Sequence, residues 1–357
     1  MRNSRMELLR LIGMYFVVLA HESAFGIRNL IFPLAPQDMT FNVCLNYVLN
    51  FPGTAFNLIF IILAGYYGIH RRPSYKRISV LAVQECFYAW ILAIIVLGGG
   101  LRALGQKDVL QAAFPLFTGY NWFINCYIVL MLIAPFLNKM ILALSRRDLF
   151  LLIAVLFTLR ILNTAAGMET FVVVGRNLEV FVFCYLIGAY MRLYPNHGRV
   201  VKAGMIDAAI VIITYSLSVF IMGYLFRVTG NSWYVDHMTI LLEPAKILTA
   251  IYIFQIVVSQ EPFYNSGVNR IAEFVPGIYL LHENRLLRPY IWTAFAPTLP
   301  LLNSVWFVPG MMLKAAIVML LCIALNIPWE MLIKQKIRIC IDYIAHECIE
   351  TLQNHAN

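Results

Sequence analysis

The first 26 residues, MRNSRMELLRLIGMYFVVLAHESAFG (1–26), decide how this chain is built. Basic residues open the stretch, an apolar run follows, and His21 and Glu22 then stand within a hydrophobic segment. A helix turns 100° per residue, so Arg10 and His21 share one helix face, about 16 Å apart along the axis. With the N-terminus in the cytoplasm, Arg10 lies near the lipid headgroups and His21 lies inside the bilayer. An ionisable residue at that depth indicates a functional site.

The composition is typical of an integral membrane protein. Of the 357 residues, 61% are hydrophobic and 13% are charged, whereas about a quarter of a soluble domain is charged. The net charge of +9 is assigned to cytoplasmic loops, and no nucleic acid partner is expected. The seven cysteines contain no C-x-x-C and lie mostly in apolar runs, so they are interpreted as packing residues, without a metal site. Glu7 and Arg10 argue against a signal peptide, as do the many spans that follow.

Apolar runs of about 20 residues predict an all-α, polytopic bundle of about ten transmembrane helices. The predicted spans are 7–25, 54–69, 78–97, 122–142, 149–162, 178–193, 205–226, 238–258, 271–289 and 309–333. Segment 41–49 is amphipathic and precedes Pro52 and Gly53, so it is expected to be an interfacial or re-entrant lead-in. One transmembrane domain, 1–333, is therefore predicted. The tail, 334–357, has apolar residues at helical spacing and is predicted to be a cytoplasmic amphipathic helix.

The distribution of charge predicts the orientation. Most arginine and lysine residues fall on the segments that are cytoplasmic when the N-terminus is inside. The opposite side has only a scatter of them, namely Arg28, Arg102, Lys107, Arg176 and Arg227. This asymmetry predicts that both termini are cytoplasmic and that the number of spans is even.

Four stretches resemble the membrane-bound acyltransferase 3 family. The first is R-x10-H, formed by Arg10 and His21 after a short basic N-terminus. The others are LAGYYGIHRRPSYKR (63–77), YNWFINCYIVLMLIAPFLNKMI (120–141) and FVPGIYLLHENRLLRPYIW (274–292). They follow the order of the family, so the resemblance covers nearly the whole chain.

The resemblance implies a multi-pass enzyme of the bacterial inner (plasma) membrane. Such an enzyme transfers an acyl group, here expected to be acetyl, from acetyl-CoA to a hydroxyl of a cell-surface or lipid-linked glycan. Acetyl-CoA is then the acyl-donor substrate, and no bound cofactor is expected. The oligomeric state, the sugar and the side on which the acceptor binds stay open at this point.

His21 is the first candidate for catalysis. O-acyl transfer needs a base to take the proton of the attacking hydroxyl, and imidazole titrates near neutral pH. A transient acyl-imidazole is a second role for His21, and a structural hydrogen bond between helices is the alternative. His282, placed like the histidine of the late family motif, is expected to bind the acceptor or pair with a carboxylate. Glu22 points about 100° away from His21, so it is a candidate both for catalysis and for pairing with another helix.

Arginines on the predicted cytoplasmic side are candidates for binding the phosphates of the acyl-CoA donor. Arg10 offers a permanent charge and several donors, and Arg71, Arg72 and Arg77 lie in one basic loop. The alternative for Arg10 is that its side chain extends to the lipid headgroups and anchors the helix. The alternative for the loop is that it is basic only because it is cytoplasmic. Some family members have R-x-x-R here, but Tyr75 stands three positions after Arg72.

Further polar residues are candidates for binding the acceptor. They are Asn57, Trp122, Asn125, Glu283 and Arg285. With His282, the last two put three ionisable residues within four positions of an apolar run, which is hard to reconcile with a lipid-facing surface. For Trp122, an aromatic belt at the membrane interface is the alternative.

One pair of opposite charges lies within a predicted span. Glu243 and Lys246 are three positions apart and are expected to neutralise each other.

The alternative function is a secondary transporter or flippase for a lipid-linked sugar. The absence of repeated halves and of a matched pair of broken helices in the sequence argues against it.

Overall fold

A computed structural model describes residues 3–71, 74–100, 103–166, 178–195, 201–238 and 242–356. Every regular element within these residues is helical, as predicted. The helices are α1 Ser4–His21, α2 Phe41–Gly68, α3 Tyr75–Gly98, α4 Gln106–Ala113, α5 Trp122–Ala143, α6 Arg146–Ala166, α7 Leu178–Leu193, α8 Val201–Thr229, α9 Leu242–Val258, α10 Ser266–Ile271, α11 Val275–His282, α12 Phe307–Pro328 and α13 Lys334–Ala356. π-Helical turns lie at Glu22–Arg28, Tyr290–Ala294 and Trp329–Ile333, and shorter turns at Asn29–Ile31, Pro36–Asp38, Trp233–Asp236, Ala272–Phe274 and Leu299–Leu301.

Six helical stretches in the described residues are long and apolar enough to cross a membrane. They are Ser4–Ile31, Phe41–Gly68, Tyr75–Gly98, Trp122–Ala143, Lys202–Thr229 and Phe307–Glu347. Large apolar side chains such as Ile94 and Ile213 are more than half exposed on their outer surface, which is costly in water and favourable in lipid. Helices α7 and α9 have only 16 and 17 residues, shorter than a usual span. The structure thus supports a helical membrane bundle, while ten spans and cytoplasmic termini remain predictions.

Segment 41–49 is not a separate lead-in, and that prediction is wrong. Helix α2 runs unbroken from Phe41 to Gly68 and contains Pro52. Proline removes one backbone donor, and membrane helices tolerate it where other groups satisfy the freed carbonyls. The carbonyl freed by Pro52 is that of Val48, and the nearby Thr54 hydroxyl donates to the carbonyl oxygen of Phe51 at 2.7 Å.

The predicted span 271–289 is not one helix either. Helix α11 ends at His282, and helical structure resumes only at Tyr290–Ala294. The side-chain oxygen of Asn284 accepts the backbone N–H of Leu286 at 3.0 Å and so holds the turn. Polar residues that interrupt the apolar run therefore end the helix inside the bundle.

Helices α1, α2 and α7 form the centre of the bundle. A Cβ atom on Gly188 would overlap the carbonyl oxygen of Ile62, and one on Gly65 would overlap that of Tyr185. Glycine at both positions lets the backbones of α2 and α7 touch, as small residues do in membrane helix pairs. This contact fixes α7 beside α2, and α2 in turn packs against α1, which carries His21.

The tail helix α13 continues from α12 through the π-helical turn Trp329–Ile333. Ile337 and Ile341, which belong to its predicted apolar stripe, pack against the bundle. Lys76 at the start of α3 forms an ion pair with Asp342. The tail is therefore attached to α3 and extends α12 without a break.

Candidate active site

The end of α1 meets the end of α11 at two histidines. His21 Nδ1 lies 2.9 Å from His282 Nε2, and the ring centroids are 5.1 Å apart. The His282 side chain is fully buried, whereas 16% of the His21 side chain is exposed. The structure therefore brings the first two candidates for catalysis into direct contact.

The hydrogen bonds of His282 define which nitrogen of each ring carries a proton. His282 Nδ1 lies 2.6 Å from the carbonyl oxygen of Ile278, which can only accept, so Nδ1 carries the hydrogen. In neutral His282, Nε2 is then the acceptor and takes a hydrogen bond from His21 Nδ1. Since His21 Nδ1 then carries the hydrogen, the lone pair of neutral His21 lies on Nε2, which is the nitrogen available to accept a proton.

Glu283 adds a carboxylate to this histidine pair. Its Oε2 lies 3.4 Å from His21 Nδ1, and its Oε1 accepts from the Arg288 guanidinium at 3.1 Å. Arg288 also stacks over the ring of Phe25 at 4.1 Å, and Phe25 contacts the His21 ring, with centroids 5.7 Å apart. Glu283 can stabilise positive charge on His21, and Arg288 fixes the position of that carboxylate.

Glu22 points to a different part of the bundle from His21, as the helix geometry predicts. Its side chain is fully buried and pairs with Lys314 at 3.1 Å, and it accepts a hydrogen bond from the Thr298 hydroxyl. Lys314 also donates to the carbonyl oxygen of Trp292 at 3.1 Å. Glu22 thus joins the π-helical turn after α1 to α12 and to 290–298. A catalytic role for Glu22 is untested, and its observed partners favour a structural one.

Arg10 and Arg77 belong to one basic region at the start of α1 and α3. Arg10 donates to Glu7 at 2.8 Å and remains partly exposed. Both guanidinium groups lie close enough to the half-buried Tyr127 of α5 to interact electrostatically with its hydroxyl. These two predicted donor-binding residues therefore lie in the same part of the bundle, within electrostatic range of Tyr127.

Arg71 and Arg192 extend this region across the ends of α2 and α7. Arg71 lies over the ring of Tyr67 at 5.6 Å, and Arg192 lies over the ring of Tyr66 at 5.1 Å. Arg192 also donates to the Tyr66 hydroxyl at 3.3 Å. Tyr67 is also within electrostatic range of Glu7, the partner of Arg10, so Arg71 and Arg192 lie on the same side of the bundle as Arg10.

We call Arg10, Arg71, Arg77 and Arg192 the basic cluster. Sequence reasoning counted Arg192 only as a topological charge. Arg192 stands at the end of the predicted span 178–193, on the same predicted side as the 71–77 loop. This position could have identified it as a further candidate for binding the donor. Arg72, a predicted member of the same site, lies outside the described residues.

The predicted acceptor residues are placed differently from one another. Trp122 packs edge-on against Phe181 of α7, and Asn125 donates to the carbonyl oxygen of Pro115 at 3.0 Å. Asn57 is half-buried in α2, one turn after Gly53, which approaches α1 closely. Glu283, in contrast, lies 3.4 Å from His21 Nδ1 and so contacts the histidine pair.

Arg285 holds the segment before α5 and is not directed at the histidines. Its guanidinium donates to Gln111 Oε1 at 2.9 Å, and to the carbonyl oxygens of Gly119 at 2.9 Å and Tyr120 at 3.2 Å. The Tyr120 hydroxyl donates to Asn284 at 3.1 Å. Arg285 therefore ties the loop 114–121 to the turn that follows His282.

A buried carboxylate of α3 was missed by sequence reasoning. Glu85 is fully buried and accepts from the Asn121 amide at 3.2 Å. Asn121 adjoins Tyr120, so this carboxylate lies behind the turn after His282. A single acidic residue in the apolar run 80–96 was the signal that could have identified it.

A separate charge network lies among α6, α7 and α9. Arg160, only 1% exposed, pairs with Glu243 at 2.8 Å and also with Glu179. Lys246 pairs with Glu243, so the predicted neutralisation of these two residues is confirmed. Within this network two cations balance two carboxylates, which is the arrangement that buried charges need.

Comparison with known proteins found no relative: no family model matches the sequence, no curated protein matches it, and no solved structure matches the fold. The class that the structure itself defines is a helical bundle with six stretches apolar enough to span a membrane and a hydrogen-bonded pair of histidines, of which His282 is buried. The resemblance to the acyltransferase 3 family remains a prediction from the sequence motifs.

Proposed function

We propose that this protein is an integral-membrane O-acyltransferase of the inner (plasma) membrane. It would transfer an acetyl group from acetyl-CoA to a hydroxyl of a cell-surface or lipid-linked glycan. The observation that carries the proposal is the hydrogen-bonded chain from Ile278 through His282 to His21. This chain orients a partly exposed imidazole as a base inside an apolar bundle.

The donor binds at the basic cluster. Phosphate groups favour arginine, which offers several hydrogen-bond donors and a permanent charge. Coenzyme A carries its phosphates and its thioester at opposite ends of a flexible arm. Arg10 and His21 lie on the same helix, about three turns apart, so the phosphates stay at the cluster while the thioester reaches the imidazole.

The reaction follows from these positions. The acceptor hydroxyl oxygen attacks the thioester carbonyl carbon while His21 Nε2 takes the hydroxyl proton. The carbon–sulfur bond then breaks, and the imidazolium returns the proton to the departing thiolate. Glu283 stabilises the transient imidazolium, and no proton is gained or lost overall.

The acceptor approaches from the side of Phe25 and Arg288. Phe25 lies in the π-helical turn that follows His21, away from Arg10, and 27% of the side chain of Arg288, which stacks over Phe25, is exposed. An aromatic ring beside a polar group suits a sugar, whose faces are apolar and whose edges carry hydroxyls. Donor and acceptor therefore reach His21 from opposite ends of α1.

One observation favours the second candidate function, a transporter or flippase for a lipid-linked sugar. The segment 275–294 is interrupted after His282, and interrupted membrane helices often form the binding sites of secondary transporters. Many such transporters have two interrupted helices that are related by an internal repeat. The sequence shows no internal repeat that would supply a second one. The two functions differ in whether a thioester is consumed.

The test uses inverted membrane vesicles that contain the full-length chain and radiolabelled acetyl-CoA. Label that enters the glycan fraction together with release of free CoA supports the acyltransferase. Vesicles that release no CoA but move a lipid-linked sugar across the membrane contradict it and support the transporter. Vesicles from cells without the protein supply the background for both readings.

A further inference from the structure

An open hollow lies between the start of α6 and the end of α7, apart from the histidine pair. It has a volume of about 420 Å³ and is lined by Arg146, Arg147, Phe150 and Tyr190. The aromatic rings form one wall, with centroids 6.1 Å apart for Phe150 and Tyr190. Two arginines and two aromatic residues therefore border the hollow.

The arginine nearest this wall has a defined place. Arg146 lies over the ring of Tyr194 at 5.5 Å. The rings of Tyr190 and Tyr194 are 5.2 Å apart and form a continuous surface beneath it. A cytoplasmic position by itself explains why residue 146 is basic. It does not explain why aromatic rings pack against this arginine.

The hollow carries net positive charge. In the part of the chain that the structure describes, no carboxylate lies within ion-pair distance of Arg146 or Arg147. Asp148, the acidic residue of the same helical turn, accepts a hydrogen bond from the Ser145 hydroxyl at 2.6 Å. One carboxylate near two guanidinium groups leaves room for an anion.

The surroundings of the hollow indicate where the anion comes from. Phe150 is 54% exposed and Leu151 is 47% exposed, so the face next to the arginines is apolar and outward-facing. Basic hollows between membrane helices on the predicted cytoplasmic side suit the headgroups of anionic phospholipids. A soluble phosphate would gain nothing from the apolar wall.

We propose that Arg146, Arg147 and Tyr190 bind the phosphate headgroup of an anionic phospholipid, whose acyl chains lie along Phe150. This site is independent of the proposed acyl transfer, because it shares no residue with the basic cluster or the histidine pair. It would hold a structural lipid at the junction of α6 and α7.

The test is native mass spectrometry of the purified full-length protein titrated with phosphatidylglycerol or phosphatidylcholine. We expect wild type to retain phosphatidylglycerol in preference to phosphatidylcholine. Arg146→Gln/Arg147→Gln should weaken phosphatidylglycerol binding about 30-fold, since each basic residue near the surface contributes about 1 kcal/mol. The control Lys139→Gln/Lys202→Gln removes two exposed cations elsewhere on the same predicted side and should bind like wild type.

Tyr190→Leu keeps both arginines but removes one aromatic ring of the wall, so an intermediate loss of phosphatidylglycerol affinity is expected. This variant tests the site independently if Arg146→Gln/Arg147→Gln folds poorly. Equal phosphatidylglycerol affinity in wild type and Arg146→Gln/Arg147→Gln would overturn the proposal. Complete displacement of the lipid by inorganic phosphate would also overturn it, because the site would then be a general anion site.

Discussion

His21 and His282 are hydrogen-bonded at 2.9 Å although 261 positions separate them in the chain. The contact joins the end of the first helix to the end of α11, where the chain turns inside the bundle. His282 in turn is held by the carbonyl oxygen of Ile278. The arrangement defines the donor and acceptor nitrogens of both rings, and the proposed chemistry depends on it.

His282→Ala should lower kcat for acetyl transfer about 100-fold, because His21 loses the acceptor that orients it. The KM for acetyl-CoA should stay unchanged, since the basic cluster is untouched. His282→Gln should recover part of the rate, because its side-chain oxygen can accept from His21 Nδ1. His237→Ala, a histidine outside the site, is the control, and an unchanged kcat in His282→Ala would refute this role.

Arg192→Ala should raise the KM for acetyl-CoA about tenfold with little change in kcat, since a hydrogen bond to a charged group is lost. Arg192→Lys should give a smaller rise, because lysine keeps the charge without the planar fork. Initial rates at varied acetyl-CoA measure both effects, and Lys139→Gln controls for the loss of one exposed cation. A lower kcat at unchanged KM would place Arg192 outside the donor site.

Gly188→Ala should destabilise the protein by about 1–3 kcal/mol, because the added Cβ overlaps a backbone oxygen of α2 that cannot move away cheaply. The thermal unfolding midpoint of the purified protein in detergent is the measurement. Gly98→Ala is the matched control, since a Cβ there meets nothing within 4 Å. Equal midpoints for the two variants would show that α2 and α7 are not in such close contact.

Lys314→Met should cost about 3–5 kcal/mol, because Glu22 would stay buried without its partner. The double variant Glu22→Gln/Lys314→Met should recover much of this loss, since it buries no charge. Lys76→Met breaks the exposed ion pair with Asp342 and should cost at most about 1 kcal/mol. If the double variant unfolds as readily as Lys314→Met, the two residues are not a coupled pair.

Some of this site could be predicted from local sequence and some could not. The divergence of His21 and Glu22 follows from the helical period, and so does the pairing of Glu243 with Lys246. The contact of His21 with His282 could not be derived, because it depends on how α1 and α11 pack. The three ionisable residues from His282 to Arg285 predicted a shared binding site. Arg285 does not follow that prediction, since its guanidinium holds the loop 114–121.

The two errors in the fold also have physical causes. A proline in the sequence predicted a break at Pro52, yet α2 continues through it, because membrane helices tolerate an internal proline. The apolar run 271–289 predicted one span, yet the polar side chains from His282 to Arg285 find partners only if the chain turns. In the second case tertiary hydrogen bonding outweighed the local pattern.

The most direct test of the central claim is acetyl transfer from labelled acetyl-CoA by wild type, His21→Ala and Arg10→Ala at matched expression. The proposed mechanism predicts that His21→Ala abolishes labelling of the glycan, while Arg10→Ala is rescued by a higher donor concentration. A His21→Ala variant that transfers acetyl at the wild-type rate would contradict the account, because the base would then lie elsewhere.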